Sequence, residues 1–222
     1  MHDPHDHDDP DHAHDHPQDP RAARPDHDAG PASPYEVLEQ AIRELLLDKG
    51  VLTGEEIGAQ IDLMDSRSPA LGAEVIARAW TDPAFKTRLL ADTRATLLEL
   101  GIDIGTLADY RTVESTATVH NVVVCTLCSC YPRGLLGLPP DWYKSREYRS
   151  RTVREPRAVL AEFGTVIPQD VEVRVHDSTA DLRYLILPMQ PKGSEGMKAD
   201  ALEELVTRDC MIGVSLPRSP RA

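Results

Sequence analysis

Apolar residues recur at helical spacing throughout residues 31–101. Side chains three and four positions apart line one face of a helix. Residues that typically begin or end a helix separate these runs. Gly50 suits the position just after a helix, and Thr53 and Glu56 form a capping box at the start of the next one. We predict a helical N-terminal region that either packs on the rest of the chain or extends as an arm around another one. Its predicted helices cover residues 35–46, 53–64, 69–80 and 85–100.

The pattern changes after Gly101, where short β-prone runs replace the helical stripes. Residues 120–124 form a predicted strand that leads directly into three cysteines. Residues 171–175 alternate between apolar and polar side chains, and residues 182–187 return after a turn, which is typical of an antiparallel hairpin. The other segments predict a loop over 133–143, an extended segment over 148–153, and helices over 156–163 and 200–208.

These elements predict an α+β fold. The helical N-terminal third precedes a layered α/β body over residues 102–222, with mainly antiparallel strands and a metal-binding loop. Residues 1–30 are predicted to be a disordered tail because they contain almost no large apolar side chain. This tail holds nine aspartates and seven of the nine histidines, so it either collects metal ions loosely or only solubilises the chain.

Charge and composition exclude several classes of function. A formal net charge of −13 is unsuited to nucleic acid, which binds clustered lysines and arginines. No apolar run approaches the ~18–20 residues that cross a bilayer, so no membrane span is expected. The N-terminus has no basic region followed by an apolar one, as a secretory signal would have. We therefore expect a cytoplasmic protein.

Three of the four cysteines lie within six residues, as Cys125, Cys128 and Cys130. Such crowding in a cytoplasmic protein indicates metal or redox chemistry rather than disulfides. Three thiolates are soft ligands that suit zinc, Cu(I), iron–sulfur clusters or low-spin iron and cobalt. Structural zinc and iron–sulfur sites usually need a fourth ligand, which Cys210 would have to supply. The spacing alone leaves these alternatives open.

The residues around the cysteines resemble the nitrile hydratase α subunits, a family that also includes thiocyanate hydrolases. The run Val-Cys-Thr-Leu-Cys-Ser-Cys over residues 124–130 is followed by Leu-Gly-Leu-Pro-Pro-Asp-Trp-Tyr-Lys over 136–144, and both are typical of the family. Further similar segments extend the resemblance over residues 35–216: 79–85, 160–164, 171–175, 183–188 and 205–214.

The resemblance implies a set of five ligands for one metal ion per subunit. The sulfurs of Cys125, Cys128 and Cys130 and the main-chain nitrogens of Ser129 and Cys130 would bind a trivalent, low-spin ion and leave a sixth position open. Family usage associates Thr126 with Co(III), whereas serine there accompanies Fe(III). In the family Cys128 is a sulfinic acid and Cys130 a sulfenic acid, whose oxygen is a candidate nucleophile or base.

The reaction implied by the resemblance is hydration of a small-molecule nitrile to its amide. In the family a β subunit contributes two arginines that hydrogen-bond the oxidised sulfurs, and an activator protein takes part in metal loading. This chain would therefore need a β-like partner and an activator. Two other functions stay open: the metal subunit of a thiocyanate hydrolase, and a metal-storage or delivery protein that holds zinc on unmodified thiols.

The chain departs from the family pattern beside the cysteines. Many relatives continue as Tyr-Pro-Trp-Pro, where this chain has Tyr-Pro-Arg-Gly and thus Arg133 in place of an aromatic residue. Loss of the indole would widen the pocket, so we expect a bulkier or more polar nitrile, such as a heteroaromatic or nucleoside nitrile. Arg133 could instead face solvent or the partner. Trp142 and Tyr143 are further pocket candidates, unless they are core aromatics. His176, where many relatives carry tryptophan, is expected to be a packed or surface residue.

Overall fold

The computed structural model describes residues 33–220, so the tail predicted over residues 1–30 lies outside the described residues. Helices and strands follow one another in this order: α1 (Pro34–Asp48), α2 (Gly54–Asp65), α3 (Pro69–Thr81), α4 (Pro83–Ala91), α5 (Thr93–Glu99), β1 (Asp109–Glu114), β2 (Val119–Val124), α6 (Arg133–Leu136), α7 (Asp141–Lys144), α8 (Arg146–Thr152), α9 (Pro156–Glu162), β3 (Glu172–Asp177), β4 (Leu182–Leu187), α10 (Ala199–Glu203) and α11 (Arg208–Ile212). The structure confirms that the fold combines helices and strands, as predicted.

Side-chain caps start the first two helices, and the one at Thr53 is the cap that the sequence predicts. The Glu36 amide donates to Ser33 Oγ at 3.2 Å, and the Glu56 amide donates to Thr53 Oγ1 at 3.1 Å. Within the described residues, neither α1 nor α2 buries a side chain, and their apolar stripes remain exposed. None of the helices in residues 33–220 combines the length and apolar character that crossing a bilayer requires.

Several segments differ from the prediction because of local caps that the apolar pattern does not reveal. The single helix predicted over 85–100 breaks at Asp92, whose carboxylate accepts from the Ala95 amide at 2.9 Å and starts α5. The segment 148–153 is helical rather than extended, because Ser145 Oγ caps the first turn of α8. The predicted loop over 133–143 contains α6 and α7, and the helix predicted over 200–208 is the shorter α10, followed by α11.

The predicted antiparallel hairpin is wrong. β3 and β4 do not pair with each other; β2 pairs with β3 and β1 pairs with β4, both in parallel. The alternation of side chains indicates a strand but carries no information about its partner. A parallel pair needs a long crossover connection, and residues 125–171 provide it between β2 and β3.

Strand β2 lies in the centre of the core. Val122, Val123 and Val124 are fully buried, and the Tyr148 hydroxyl donates to the Val123 carbonyl oxygen at 2.5 Å. On the other side α11 ends at Gly213, whose carbonyl oxygen lies 2.7 Å from His120 Nε2. Gly213 has a φ of +88°, and a Cβ there would lie 2.0 Å from the Asn121 carbonyl oxygen. This contact makes β2 a fixed support for the cysteines that follow it.

Replacement of Gly213 by alanine should therefore destabilise the protein more than the same change at Gly193. Both glycines have a positive φ, but a Cβ at Gly193 would meet no atom within 4 Å. We expect the free energy of unfolding to fall by about 1 kcal/mol in Gly193→Ala, because of the positive φ. In Gly213→Ala it should fall by about 2 kcal/mol more, because only this substitution adds a steric clash. Urea unfolding measures both free energies, and equal losses would contradict the close packing of α11 on β2.

Candidate metal centre

The three clustered cysteines converge at the end of β2. We call residues 125–130 the cysteine loop. Cys125 Sγ lies 3.6 Å from Cys128 Sγ, and Cys128 Sγ lies 3.2 Å from Cys130 Sγ. The three sulfurs lie within 4.8 Å of one another. Among the described residues, they are the only group of three or more histidine, cysteine, aspartate or glutamate side chains that could hold a metal ion. All three are free thiols, with Cys125 buried, Cys130 half-buried and Cys128 exposed.

Asp177 fixes the start of the cysteine loop. Its Oδ1 accepts from the Thr126 amide at 2.9 Å, and its Oδ2 accepts from the Thr126 hydroxyl at 2.6 Å. Asp177 is the last residue of β3 and pairs with Val124, the last residue of β2. The parallel ladder thus brings the carboxylate beside the loop, which turns where the strand ends.

Two further side chains hold the far end of the loop by its carbonyl groups. Arg149 Nη1 donates to the Cys128 carbonyl oxygen at 2.7 Å. The Tyr143 hydroxyl donates to the Cys130 carbonyl oxygen at 2.9 Å. These two carbonyls are engaged from α8 and α7, so side chains of segments that follow the loop in sequence hold both of its ends.

The thiols perturb one another's protonation. A hydrogen bond with Cys130 lowers the pKa of Cys128, and Cys125 and the main-chain amides of Ser129 and Cys130 act in the same direction. Burial raises the pKa of Cys130 to about 12, the Cys128 thiol adds to this, and the nearby positive charge of Arg183 opposes it. Cys128 therefore holds the thiolate more readily than Cys130 does.

The donor set is not that of a tetrahedral structural zinc, which takes four cysteine or histidine side chains, because among the described residues the metal-binding group has three cysteines. The amides of Ser129 and Cys130 already act on the Cys128 sulfur, so the two main-chain nitrogens implied by the family resemblance lie beside the thiols. A fourth sulfur does not join them. Cys210 is fully buried elsewhere, where its Sγ donates to the Thr207 carbonyl oxygen at 3.0 Å. It is therefore a buried small residue, as expected from the sequence.

A cavity of about 440 Å³ lies beside the cysteine loop. Cys128, Ser129 and Cys130 form part of its wall, together with Arg67, Asp103, Ile104, Tyr110, Arg133, Arg183 and the α2 residues Gln60, Leu63 and Met64. Arg183 Nη1 is buried and has no hydrogen-bond partner among the described residues. Three guanidinium groups against one carboxylate make the cavity cationic, although the whole chain is acidic.

The other pocket candidates are placed differently from Arg133, which lines the cavity. Trp142 and Tyr143 are buried behind the loop, among aromatic rings with Tyr148 and Phe163. Tyr143 reaches the loop through its hydroxyl, and neither residue belongs to the cavity wall within the described chain. A direct contact of these two residues with substrate therefore stays a prediction.

His176, which differs from the tryptophan of many relatives, makes packing contacts and does not belong to the cysteine cluster. His176 Nε2 lies 2.9 Å from Asn121 Oδ1, and its ring lies 4.9 Å from that of Tyr184. The side chain is half-buried between β2 and β4, as expected for a packed histidine. Burial lowers its pKa, which favours the neutral imidazole.

Sequence reasoning missed three residues that position the loop or line the cavity: Asp177, Arg149 and Arg183. No spacing motif connects any of them to the cysteines. Correct pairing of β2 with β3 would have found Asp177, because the parallel register places it opposite Val124. Arg149 lies in a segment for which the sequence predicts an extended conformation. The sequence therefore does not reveal that Arg149 projects from a helix toward the loop.

Comparisons with known proteins agree with the arrangement of the site. The family model for the nitrile hydratase alpha chain matches residues 33–215. The low-molecular-weight cobalt-containing nitrile hydratase subunit alpha of Rhodococcus rhodochrous is 48% identical over 182 residues, which are 82% of this chain and 88% of that protein. The thiocyanate hydrolase subunit gamma of Thiobacillus thioparus is 42% identical over 197 residues, which are 84% of this chain and 81% of that one.

Among solved structures, a recombinant thiocyanate hydrolase with partially modified cobalt centres is similar to the chain, with a TM-score of 0.79 and 41% identity. The match covers 86% of this chain and 92% of that one. These findings confirm the resemblance that residues 124–144 indicate.

The contact between Asp177 and Thr126 predicts weaker metal binding in Asp177→Asn. The amide keeps one acceptor oxygen but loses the charge and the second acceptor, so the loop is oriented less firmly. Loss of such an orienting contact typically costs 10–100-fold in metal affinity. Competition with a chelator for bound cobalt measures the change. Asp181→Asn is the control, because Asp181 is exposed on the turn before β4; equal affinities in the two variants would contradict the role of Asp177.

Proposed function

The chain belongs to the nitrile hydratase alpha-chain family, and on that basis we propose that it is the metal-bearing subunit of an enzyme that hydrates a nitrile to the amide. The convergence of three sulfurs on one loop beside a cavity carries the proposal. One Co(III) ion per subunit would be held by Cys125, Cys128, Cys130 and the main-chain nitrogens of Ser129 and Cys130. Thr126 favours cobalt, and Fe(III) is the alternative.

When bound, the ion supplies Lewis acidity toward a nitrile nitrogen or a water molecule. Cys130 is the candidate catalytic residue, because its sulfur lies in the cavity wall while its carbonyl oxygen is held by Tyr143. As a sulfenate, its oxygen would take a proton from the attacking water, whose hydroxide would add to the nitrile carbon while the nitrile nitrogen is protonated. The resulting imidic acid would tautomerise to the amide. If the sulfenate oxygen attacked the carbon itself, water would then have to cleave the new sulfur–oxygen–carbon link at the sulfur–oxygen bond, which would restore the sulfenate and release the imidic acid. Cys128, as a sulfinate, would withdraw electron density from the centre.

A β-like partner subunit would complete the site. The oxidised sulfurs need charge-assisted donors, and arginines of the partner would hydrogen-bond them. The exposed apolar stripes of α1 and α2 are available for that interface, so we propose that these helices form an arm on the partner. An activator protein would load the ion, and the reaction would take place in the cytoplasm.

The oxidised cysteines provide the first test. In the chain co-expressed with its partner and activator, the peptide that contains residues 125–130 should carry two added oxygen atoms on Cys128 and one on Cys130. Mass spectrometry of that peptide measures both. Unmodified thiols on an active enzyme would contradict the proposed centre, and zinc on unmodified thiols would indicate storage.

Removal of the candidate catalytic group provides the second test. Cys130→Ser should lower kcat for nitrile hydration by about 10²- to 10⁴-fold, the usual contribution of a positioned base or nucleophile. Cys210→Ser is the matched control, since this buried cysteine lies outside the site. Measurements at equal metal content separate catalysis from metal loading, and similar kcat values in the two variants would contradict the role of Cys130.

The cationic cavity favours a second candidate function, thiocyanate hydrolysis. Arg133 and the buried Arg183 suit an anionic substrate better than a small neutral nitrile. If the substrate is instead a nitrile, the same arginines favour a bulky or polar one, such as a heteroaromatic or nucleoside nitrile. Release of ammonia and carbonyl sulfide from thiocyanate distinguishes the first case from amide formation in the second.

Arg133→Trp tests which substrate the cavity accepts. The indole would fill part of the cavity and remove one charge, so we expect the ratio of kcat/KM between large and small nitriles to fall by about tenfold or more. Hydrolysis of thiocyanate, if the assembled enzyme has it, should fall as well. Arg154→Trp is the control, because Arg154 is exposed in the turn after α8. An unchanged preference in Arg133→Trp would refute a role of Arg133 in substrate choice.

A further inference from the structure

Tyr110 brings a buried hydroxyl group to the cavity wall, and the proposed reaction does not use it. The side chain is 9% exposed and lines the cavity beside the cysteine loop. Its hydroxyl oxygen accepts a hydrogen bond from the Gly134 amide at 3.0 Å. A phenol that accepts one hydrogen bond still has its own hydrogen to donate. Among the described residues, no group accepts that hydrogen.

The neighbouring groups of the cavity wall do not offer an acceptor to this hydroxyl. Arg183 is the partner of Tyr110 in the ladder between β1 and β4, and a guanidinium group has donors only. The Tyr131 hydroxyl is buried and has no partner within the described chain. The Asp103 carboxylate accepts from the Gly105 amide at 2.8 Å. Because a buried donor that stays unpaired is costly, this wall favours a ligand that brings an acceptor atom.

Gly134 holds the hydroxyl in place from the other side. A Cβ at Gly134 would lie 3.1 Å from the Tyr110 hydroxyl and 3.1 Å from the Cα atom of Ile104, so a larger residue would press on both. A proline at this position, as in the Tyr-Pro-Trp-Pro of many relatives, would also lack the N–H that Tyr110 accepts from. The change beside Arg133 therefore creates a contact that orients Tyr110. We call the wall formed by Tyr110, Gly134 and Ile104 the acceptor subsite.

The hydroxyl of the acceptor subsite remains protonated near neutral pH. Burial raises the pKa of Tyr110 above its usual value, against the opposing effects of the Gly134 amide and of the positive charges of Arg183, Arg94 and Arg67. A protonated phenol can donate, and the nearby positive charges favour an acceptor that is rich in electrons.

We propose that the Tyr110 hydroxyl donates a hydrogen bond to an acceptor nitrogen or oxygen on the non-reacting part of the substrate. The substrate class that follows is a nitrile whose attached ring or chain carries such an acceptor, rather than a purely hydrocarbon nitrile. The proposal rests on the proposed function, because it assumes that the nitrile group itself reacts at the cysteine loop. It makes Tyr110 a residue that determines specificity.

The distance from the sulfurs suits a substrate of this size. Arg183 lies near Cys130, since its charge lowers the pKa of that thiol, and Tyr110 lies beside Arg183 on the neighbouring strand, where strands are about 4.8 Å apart. A ring attached to a nitrile at the loop would therefore extend past Arg183 toward the hydroxyl. The cavity of about 440 Å³ has room for such a ring.

Tyr110→Phe tests the proposal in the enzyme assembled with its partner, because it removes the hydroxyl and keeps the ring. The substrates are benzonitrile, 3-cyanopyridine and 4-cyanopyridine, which have nearly the same shape and differ in the ring nitrogen. The measured quantity is the ratio of kcat/KM for each cyanopyridine to that for benzonitrile, so that metal content cancels. Tyr184→Phe is the matched control, because Tyr184 is half-buried against His176 and lies outside the cavity wall.

We expect Tyr110→Phe to lower this ratio by about three- to tenfold for at least one of the two cyanopyridines, which is the usual effect of one hydrogen bond between neutral groups. The ratios in Tyr184→Phe should equal those of the wild type. Unchanged ratios in Tyr110→Phe would overturn the proposal. An equal fall of kcat/KM for all three nitriles would overturn it too, since Tyr110 would then only support the structure.

Binding of the corresponding amides separates the acceptor subsite from the reaction, because amides are not turned over. Ligand-detected NMR on the assembled protein gives Kd for benzamide, nicotinamide and isonicotinamide. Tyr110→Phe should weaken one of the two pyridine amides by about three- to tenfold relative to benzamide. This result in a protein that hydrates no nitrile would contradict the proposed function and support the acceptor subsite. Nitrile hydration with ratios that do not depend on Tyr110 would leave the proposed function standing and overturn the subsite.

Discussion

Three sulfur atoms held within 4.8 Å of one another are the constraint on which the rest of the site depends. The cysteine loop continues from β2 but has no strand ladder of its own, so its shape must come from side chains of other segments. Asp177 holds the Thr126 amide and hydroxyl, while Arg149 and Tyr143 hold the carbonyl oxygens of Cys128 and Cys130. A loop that is held in this way can present its three sulfurs to one ion with little rearrangement.

The strand that leads into the cysteine loop is fully buried at its end, whereas the loop itself becomes exposed. Val122, Val123, Val124 and Cys125 are fully buried, whereas Cys128 three residues later is exposed. The chain thus passes from core to cavity wall within one turn. This arrangement combines a rigid attachment with access for a ligand, which catalytic metal sites need and closed structural sites do not.

Charge is distributed unevenly between the site and the remainder of the molecule. The chain carries a net charge of −13, yet Arg67, Arg133 and Arg183 face a cavity with one carboxylate. Burial of an Arg183 nitrogen without a partner among the described residues is costly unless a substrate or a partner subunit satisfies it. The cavity therefore suits a polar or anionic group beside the sulfurs.

The sequence by itself determined the chemistry of the site and the local elements. The spacing of Cys125, Cys128 and Cys130 and their flanking residues indicated a metal loop at a strand end, and the capping box at Thr53 predicted where α2 begins, because these signals act over a few residues. Only the tertiary structure decided the parallel pairing of β2 with β3, the loop contacts of Asp177 and Arg149, and the place of Arg183 in the cavity wall. These contacts join segments separated by twenty to sixty residues, and alternation along one strand cannot specify which distant strand or side chain will lie beside it.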